Sequence, residues 1–194
     1  MPMVEEVLKE AEISIKDIDG FALSAGPGSF TGIRIGISAV KGMAAPLKKP
    51  CFPVSTLRAM AENYKDTDCF ICAVMDARCN QVYNANFEIE NGKITRLCED
   101  RALLCEELAK EIKNISQNEN KCVIIVGDGA NLFYEFVKDY ENVEKAEDCR
   151  MYQNACGVAL AALTEKSVTC EELLPVYLRL PQAERELKLK RSKE

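Results

Sequence analysis

The 194-residue chain has no histidine. Neither a Ser-His-Asp nor a Cys-His catalytic pair can be assembled from its own residues, nor a zinc site that includes an imidazole. Positive charge is also short: 25 Lys and Arg stand against 31 Asp and Glu, a net charge of −6. Such a chain has no field to draw it unaided to a polyanion, which disfavours autonomous nucleic-acid binding. No apolar run approaches the ~20 residues of a membrane span, and the opening Met-Pro-Met-Val-Glu-Glu lacks the basic-then-apolar order of a secretory signal. A cytoplasmic protein without membrane contact is expected. Apolar residues are plentiful, at 47%, enough for one or two small domains to bury a core.

Ten cysteines invite a disulfide or metal reading. Several lie in apolar segments, such as Cys72 in Phe-Ile-Cys-Ala-Val, Cys122 before Val-Ile-Ile-Val and Cys156 before Gly-Val-Ala-Leu, where a free thiol packs as a small hydrophobe. The single C-x-x-C, Cys69 to Cys72, falls in an expected strand, where an offset of three puts the side chains on opposite faces. Reduced, structural cysteines and no metal site are expected.

Residues 26–36, Gly-Pro-Gly-Ser-Phe-Thr-Gly-Ile-Arg-Ile-Gly, hold four glycines behind a short apolar strand, Phe21 to Ala25. Gly26 and Gly28 read as turn residues. Gly32 and Gly36 fall inside the following helix, which runs from about Ser29 or Thr31 to Ala45 and is stopped by Pro46 and Pro50. They share a face with Ala39 and Met43. A helical glycine costs roughly 1 kcal/mol relative to alanine, so two on one face point to close approach by another helix. Ile33, Ile35, Ile37 and Val40 take other directions, making the helix apolar nearly all round; core packing and an interface both remain open.

Ahead of this helix, Met3, Val4, Val7, Leu8 and Ala11 recur at helical spacing opposite Glu5, Glu6, Lys9 and Glu10. Behind it, Pro53 and Val54 lead into another helix with Ser55 as N-cap. The polar stretch after Tyr64 marks a boundary. Beyond it, Phe70–Met75, Gln81–Glu88 and Lys93–Leu97 read as a meander of strands, with a hairpin turn at Asn91-Gly92. A helix over 103–113, a strand over 121–126, a turn at Gly127-Asp128-Gly129, a helix over 131–139 and a helix over 151–165 follow. Three parts are expected: an N-terminal lobe over 1–65, a C-terminal lobe over 66–174, and an extension over 175–194 that packs back and ends in a flexible basic tail.

A glycine loop between strand and helix offers converging amides to an anion. Neither common nucleotide fingerprint is met. After Gly26 and Gly28 the third glycine comes one position late for G-x-G-x-x-G, and Ile33 stands where a P-loop needs lysine. The two glycine turns could still face one another across a cleft, which makes Gly26, Gly28, Ser29, Gly127 and Asp128 candidate nucleotide contacts, with Asp128 a possible water or magnesium contact. Each turn could equally be a mere connection. Asp76 and Arg78 could meet a ligand, although a turn aspartate more often bonds its own backbone. No nucleophile and base pair presents itself.

The stretch from Ser24 to Ile37, continued by Lys41-Gly-Met-Ala and Val54-Ser-Thr-Leu, closely resembles the signature of the bacterial TsaB (YeaZ) family. Met75-Asp-Ala-Arg78 with Gln81-Val-Tyr83, the Gly127-Asp-Gly-Ala130 turn, and Pro175-Val-Tyr-Leu-Arg179 followed by Gln182-Ala-Glu184 resemble it in the same order. The resemblance implies a two-lobed, actin-like α/β fold related to sugar kinases and heat-shock ATPases. It implies a non-catalytic dimerisation subunit in the making of threonylcarbamoyladenosine in tRNA, one that pairs with the transferase TsaD and is joined by the small ATPase TsaE. A homodimer is expected when the chain is alone, and tRNA contact only through the complex. No cofactor is expected on the chain itself, with ATP or ADP and magnesium entering at the level of the complex. The family's pairing surface, on its first two helices, carries over to Met3, Val7, Gly32, Gly36, Ala39 and Met43. The family's opening strands, with an Asp-Thr-Ser type loop, have no match here, so the N-terminal lobe is expected to be incomplete, with one strand left of its sheet. The competing reading is a small ATP-dependent, phosphotransferase-like enzyme with nucleotide between the two glycine turns; a metalloprotease is disfavoured by the lack of histidine.

Overall fold

The computed structural model describes residues 1–118 and 121–179. Its first helix, α1 (Pro2–Glu10), carries a proline in its first turn, where the missing N–H is harmless, and buries none of its residues. A single turn of 3₁₀-helix at Ile15–Asp17, closed by reciprocal Ser14 and Asp17 bonds, leads to β1 (Phe21–Gly26). Then come α2 (Phe30–Leu47), β2 (Cys51–Ser55) and α3 (Thr56–Ala61). β1 and β2 run parallel from Phe21 opposite Cys51 to Ser24 opposite Val54, and the register slips by one residue at Gly26. Between them α2 lays Ile33, Ile37, Val40 and Ala44 on Leu23, Cys51 and Leu173.

Three local expectations change in this lobe. Pro46 sits inside the last turn of α2 rather than ending it. The helix closes at Lys48, which takes a left-handed conformation (φ 51°), with the amides of Lys48 and Lys49 bonded to the carbonyls of Ala45 and Ala44. Residues 51–55 form a strand, so two strands of this sheet are present rather than one. Pro53 fits because Cys51, two positions earlier, bonds outward to Val168, and the same edge leaves room for a residue without an N–H. Ser55 caps α3 as expected, its Oγ accepting from the Arg58 amide at 3.2 Å.

The second sheet is built on β3 (Cys69–Asp76), which pairs antiparallel with β4 (Gln81–Glu90). β4 in turn pairs with β5 (Lys93–Arg96) through the Asn91-Gly92 turn and, further along, with β6 (Arg101–Leu104). β6 occupies the start of the helix expected from residue 103, so α4 (Cys105–Asn118) begins two residues later. β7 (Val123–Val126) lies parallel on the other side of β3, and β8 (Val143–Lys145), too short to read from sequence, lies parallel beyond it. The core of this lobe takes both faces of β3 with α3, α4 and α5 (Ala130–Tyr134).

The helix expected over 151–165 is two pieces, α6 (Asp148–Met151) and α7 (Ala155–Ala162). Asn154 separates them and caps α7, its Oδ1 accepting from Gly157 N at 2.7 Å. From Ala155 onward the chain is back on the first lobe. Ala161 and Ala162 pack with Val54 and Ala59, and a β-carbon on Gly157 would stand 2.4 Å from the Ala59 carbonyl oxygen. Val168 then pairs with Cys51, and Leu173 is fully buried beside α2. Residues 155–173, expected with the second lobe, thus complete the core of the first. Residues 175–179 cross between the lobes; the expected tail, 180–194, lies outside the described residues.

All ten cysteines are free thiols. Cys51, Cys69, Cys72 and Cys105 are buried, whereas Cys122 and Cys156, expected inside apolar segments, are exposed. Burial holds the Cys69 thiol up at about 11 and pushes the Cys72 thiol higher still.

Candidate functional site

Two surfaces carry the residues singled out by sequence. The first is a cleft of about 410 Å³ between the lobes, lined by Gly28, Ser29, Phe30, Met75, Asp76 and Asp128 among others. Gly28, Ser29 and Asp128 therefore do come together. Gly26 and Gly127 have another task. Gly26 (φ 136°) lies under the chain's return, where a β-carbon would be 2.4 Å from the Val176 carbonyl oxygen; at Gly127 (φ 107°) it would be 2.0 Å from that of Val74. Both positions demand glycine for backbone reasons and neither lines the cleft.

The chemistry of the cleft is mixed in sign. On one wall Ser29 caps α2, its Oγ accepting from Gly32 N at 3.3 Å. On the other, Asp128 Oδ1 accepts from the Asp76 amide at 3.2 Å. Asp76 turns to its own hairpin: it accepts from Arg78 N at 2.7 Å and pairs with the Arg78 guanidinium at 3.2 Å. Its carboxylate thus serves the turn, through which Arg78, Cys79 and Asn80 run with positive φ. Partial loss of solvent in the cleft, with the nearby Asp76 charge as a smaller contribution, pushes the Asp128 carboxyl above its ordinary value near 3.8, although the residue keeps one side open to water. Among the described residues no set of three His, Cys, Asp or Glu side chains is placed to hold a metal. Two carboxylates facing a helix N-terminus do not make a cradle for a bare phosphate.

The second surface is the outer face of the first lobe. On α1, Met3 is 80% and Val7 63% exposed. Among the described residues, a β-carbon at Gly36 of α2 would have no heavy atom within 4 Å, and one at Gly32 would meet only Ser29 of its own cap. Ala39 and Met43 are half-buried, Met43 against the small core of that lobe. Sequence reasoning missed Ile35, 65% exposed. Its place, three after Gly32 and four before Ala39, puts it on the glycine face and was available as a signal. α2 is accordingly buried along one stripe and bare along another.

A family model described as TsaD: tRNA N6-adenosine threonylcarbamoyltransferase matches residues 1–187. Together with the two lobes and the cleft between them, this sets the class of protein: a two-lobed, actin-like α/β fold. Among individual proteins, the chain is 27% identical over 186 residues to the tRNA threonylcarbamoyladenosine biosynthesis protein TsaB of Bacillus subtilis (strain 168), covering 95% of this chain and 80% of that one. To the TsaB of Escherichia coli (strain K12) it is 32% identical over 184 residues, 92% of this chain and 78% of that one. A solved structure from Pseudomonas aeruginosa, described as similar to peptidase YEAZ, superposes with a TM-score of 0.76 at 27% identity, over 92% of this chain and 82% of that one. The chain belongs to the TsaB (YeaZ) family. Among the described residues no helix is long and apolar enough to cross a membrane.

Proposed function

We propose that this chain is a partner subunit without catalytic activity of its own, which binds and activates a TsaD-type transferase in the threonylcarbamoylation of adenosine in tRNA. The observation that carries this reading is the bare stripe of α2. Gly32, Ile35, Gly36 and Ala39 form a smooth apolar track with open space at Gly36, the surface that close helix–helix docking requires. The exposed Met3 and Val7 of α1 extend the uncovered apolar surface. In the absence of that partner the same track supports a homodimer, a two-fold contact of one stripe on its copy. A TsaE-type ATPase joins the assembled pair, and tRNA is met only through the complex. The chain works in the cytoplasm. ATP or ADP and magnesium belong to the complex rather than to this chain, whose cleft sets two carboxylates opposite the capped end of α2.

Gly36→Leu tests the reading. The side chain enters open space in the isolated chain, so thermal unfolding is expected to be unchanged or slightly higher, within the ~1 kcal/mol that separates glycine from a good helix former. Co-elution with a TsaD-type subunit is expected to be lost. Failure of the unsubstituted chain to co-elute would overturn the proposal. The competing phosphotransferase reading is tested by calorimetric titration of the isolated chain with ATP and magnesium, for which no micromolar binding is expected.

A further inference from the structure

The segment from Val176 to Arg179 touches both lobes through five distinct contacts, four on the first and one on the second. Val176 N donates to the Ala25 carbonyl at 2.8 Å at the end of β1, and the Val176 carbonyl passes so close over Gly26 that only glycine fits beneath it. Tyr177 stacks on Phe30, with ring centroids 4.5 Å apart and planes 20° from parallel. Its hydroxyl accepts from Arg34 Nε at 2.6 Å. These contacts all lie on the first lobe. Two residues on, the Arg179 guanidinium donates to the Ala77 carbonyl, in the turn between β3 and β4 on the second lobe. Leu178 and Arg179 line a narrow crevice with Pro27, Gly28, Phe30 and Tyr83.

We propose that residues 176–179 are a latch that fixes the two lobes relative to each other and couples α2 to the interlobe cleft. The coupling follows from which atoms are shared. Phe30 and Arg34 stand on the first turns of α2, the helix whose outer stripe is bare, and they hold Tyr177 by ring stacking and a charge-assisted bond. Ala77, held through Arg179, is flanked by Asp76 and Arg78 on the wall of the cleft. A displacement of the N-terminal turns of α2 reaches the β3–β4 turn through four residues of backbone. Arg34 is exposed but lies across the helix from the bare stripe, so a partner seated on that stripe reaches Tyr177 by displacing the helix rather than by touching Arg34. The coupling half of the proposal rests on the reading of α2 as the docking helix; the latch half does not.

The test is hydrogen exchange on the full chain, unsubstituted and as Tyr177→Ala and Tyr177→Phe. Tyr177 is partly exposed, so its loss leaves the cores intact. In the isolated chain, Tyr177→Ala is expected to speed exchange roughly tenfold at both 26–34 and 75–80, leaving α4 unchanged, as the opening of a latch rather than of the whole fold. Tyr177→Phe keeps the stack and loses the Arg34 bond, and is expected to fall between. Faster exchange confined to 175–179 would overturn the latch. With a TsaD-type subunit added, the unsubstituted chain is expected to gain protection at 75–80 and the Tyr177→Ala chain not to. Docking that leaves 75–80 unchanged in the unsubstituted chain would overturn the coupling. A chain that does not dock at all would refute the docking reading and the coupling with it, and the latch would stand or fall on the isolated-chain result.

Discussion

At the residue scale, glycine and aspartate show how a shared motif divides its labour. In both strand-turn-helix units the first glycine is imposed by a carbonyl from a distant segment, Val176 above Gly26 and Val74 beside Gly127. The residues after them, Gly28 with Ser29 and Asp128, open onto solvent between the lobes. The existence of the turns was legible in the sequence, because a strand followed by glycines and a helix is a local pattern. This division was not, because it depends on atoms about 50 and 150 positions away that no local rule places. Asp128 permits a test with a definite sign. Its carboxyl has a raised pKa in the native protein, so between the ordinary aspartate value and the raised one the native state holds more proton than the unfolded chain. Stability falls as pH rises through that interval and the loss persists above it. Asp128→Asn keeps an oxygen for the Asp76 amide and cannot ionise. The variant is expected to match or exceed the parent in urea at neutral pH, and to lose that advantage once the pH falls below about 4, near the ordinary aspartate value.

At the scale of the element, α3 is the short helix on which both lobes rest, and a buried charge pair ties it to the residue that ends it. Arg58 and Glu62, one turn apart, meet at 2.7 Å with side chains only 11% and 2% exposed. Arg58 also donates to the Ile94 carbonyl and lies over the Phe87 ring. Among the described residues Arg58 Nε and Glu62 Oε2 find no hydrogen-bond partner. A pair of this kind is weak as a net stabiliser and costly to break. Glu62→Ala is expected to lower stability by about 3–5 kcal/mol, leaving a buried guanidinium uncompensated. Arg58→Met combined with Glu62→Leu is expected to recover most of that loss, both read from denaturant midpoints. The cap of α3 was legible, since Ser55 stands where a helix needs an acceptor. β2, ahead of it, was not, because Pro53 argues against a strand unless the edge it faces is known. The Asn154 break between α6 and α7 was missed because the run of small residues after it, Ala155 to Ala162, outweighed the polar pair Gln153-Asn154 that marks the cap.

Across the whole molecule the two lobes are unequally supported. The second has a sheet covered on both sides by buried residues from Leu57 to Met151. The first relies on two small clusters, one around α2 and one between β2 and α7. Less buried apolar area means a lower local opening free energy. Amides of β1, β2 and α2 are therefore expected to exchange faster than those of β3 and β7 in the isolated chain, and to slow when a partner covers the bare stripe of α2. Equal protection of both sheets in the isolated chain would refute this ordering. The meander and a boundary after Tyr64 were legible from the pattern, and the two-lobed plan from the family resemblance; the closure of the first lobe by residues 155–173 was not, since nothing in a run of small residues names its distant neighbour.

That closure also sets an order of events during synthesis. A ribosome releases the sequence of β1, α2 and β2 first, yet Ala161, Val168 and Leu173, which finish their packing, emerge more than a hundred residues later. The second lobe has its own strands and helices in hand by the time Met151 is out. The lobe encoded ahead of the other is thus completed last, and a chain released after residues 151–155 would carry a second lobe with all its core residues beside an open first one.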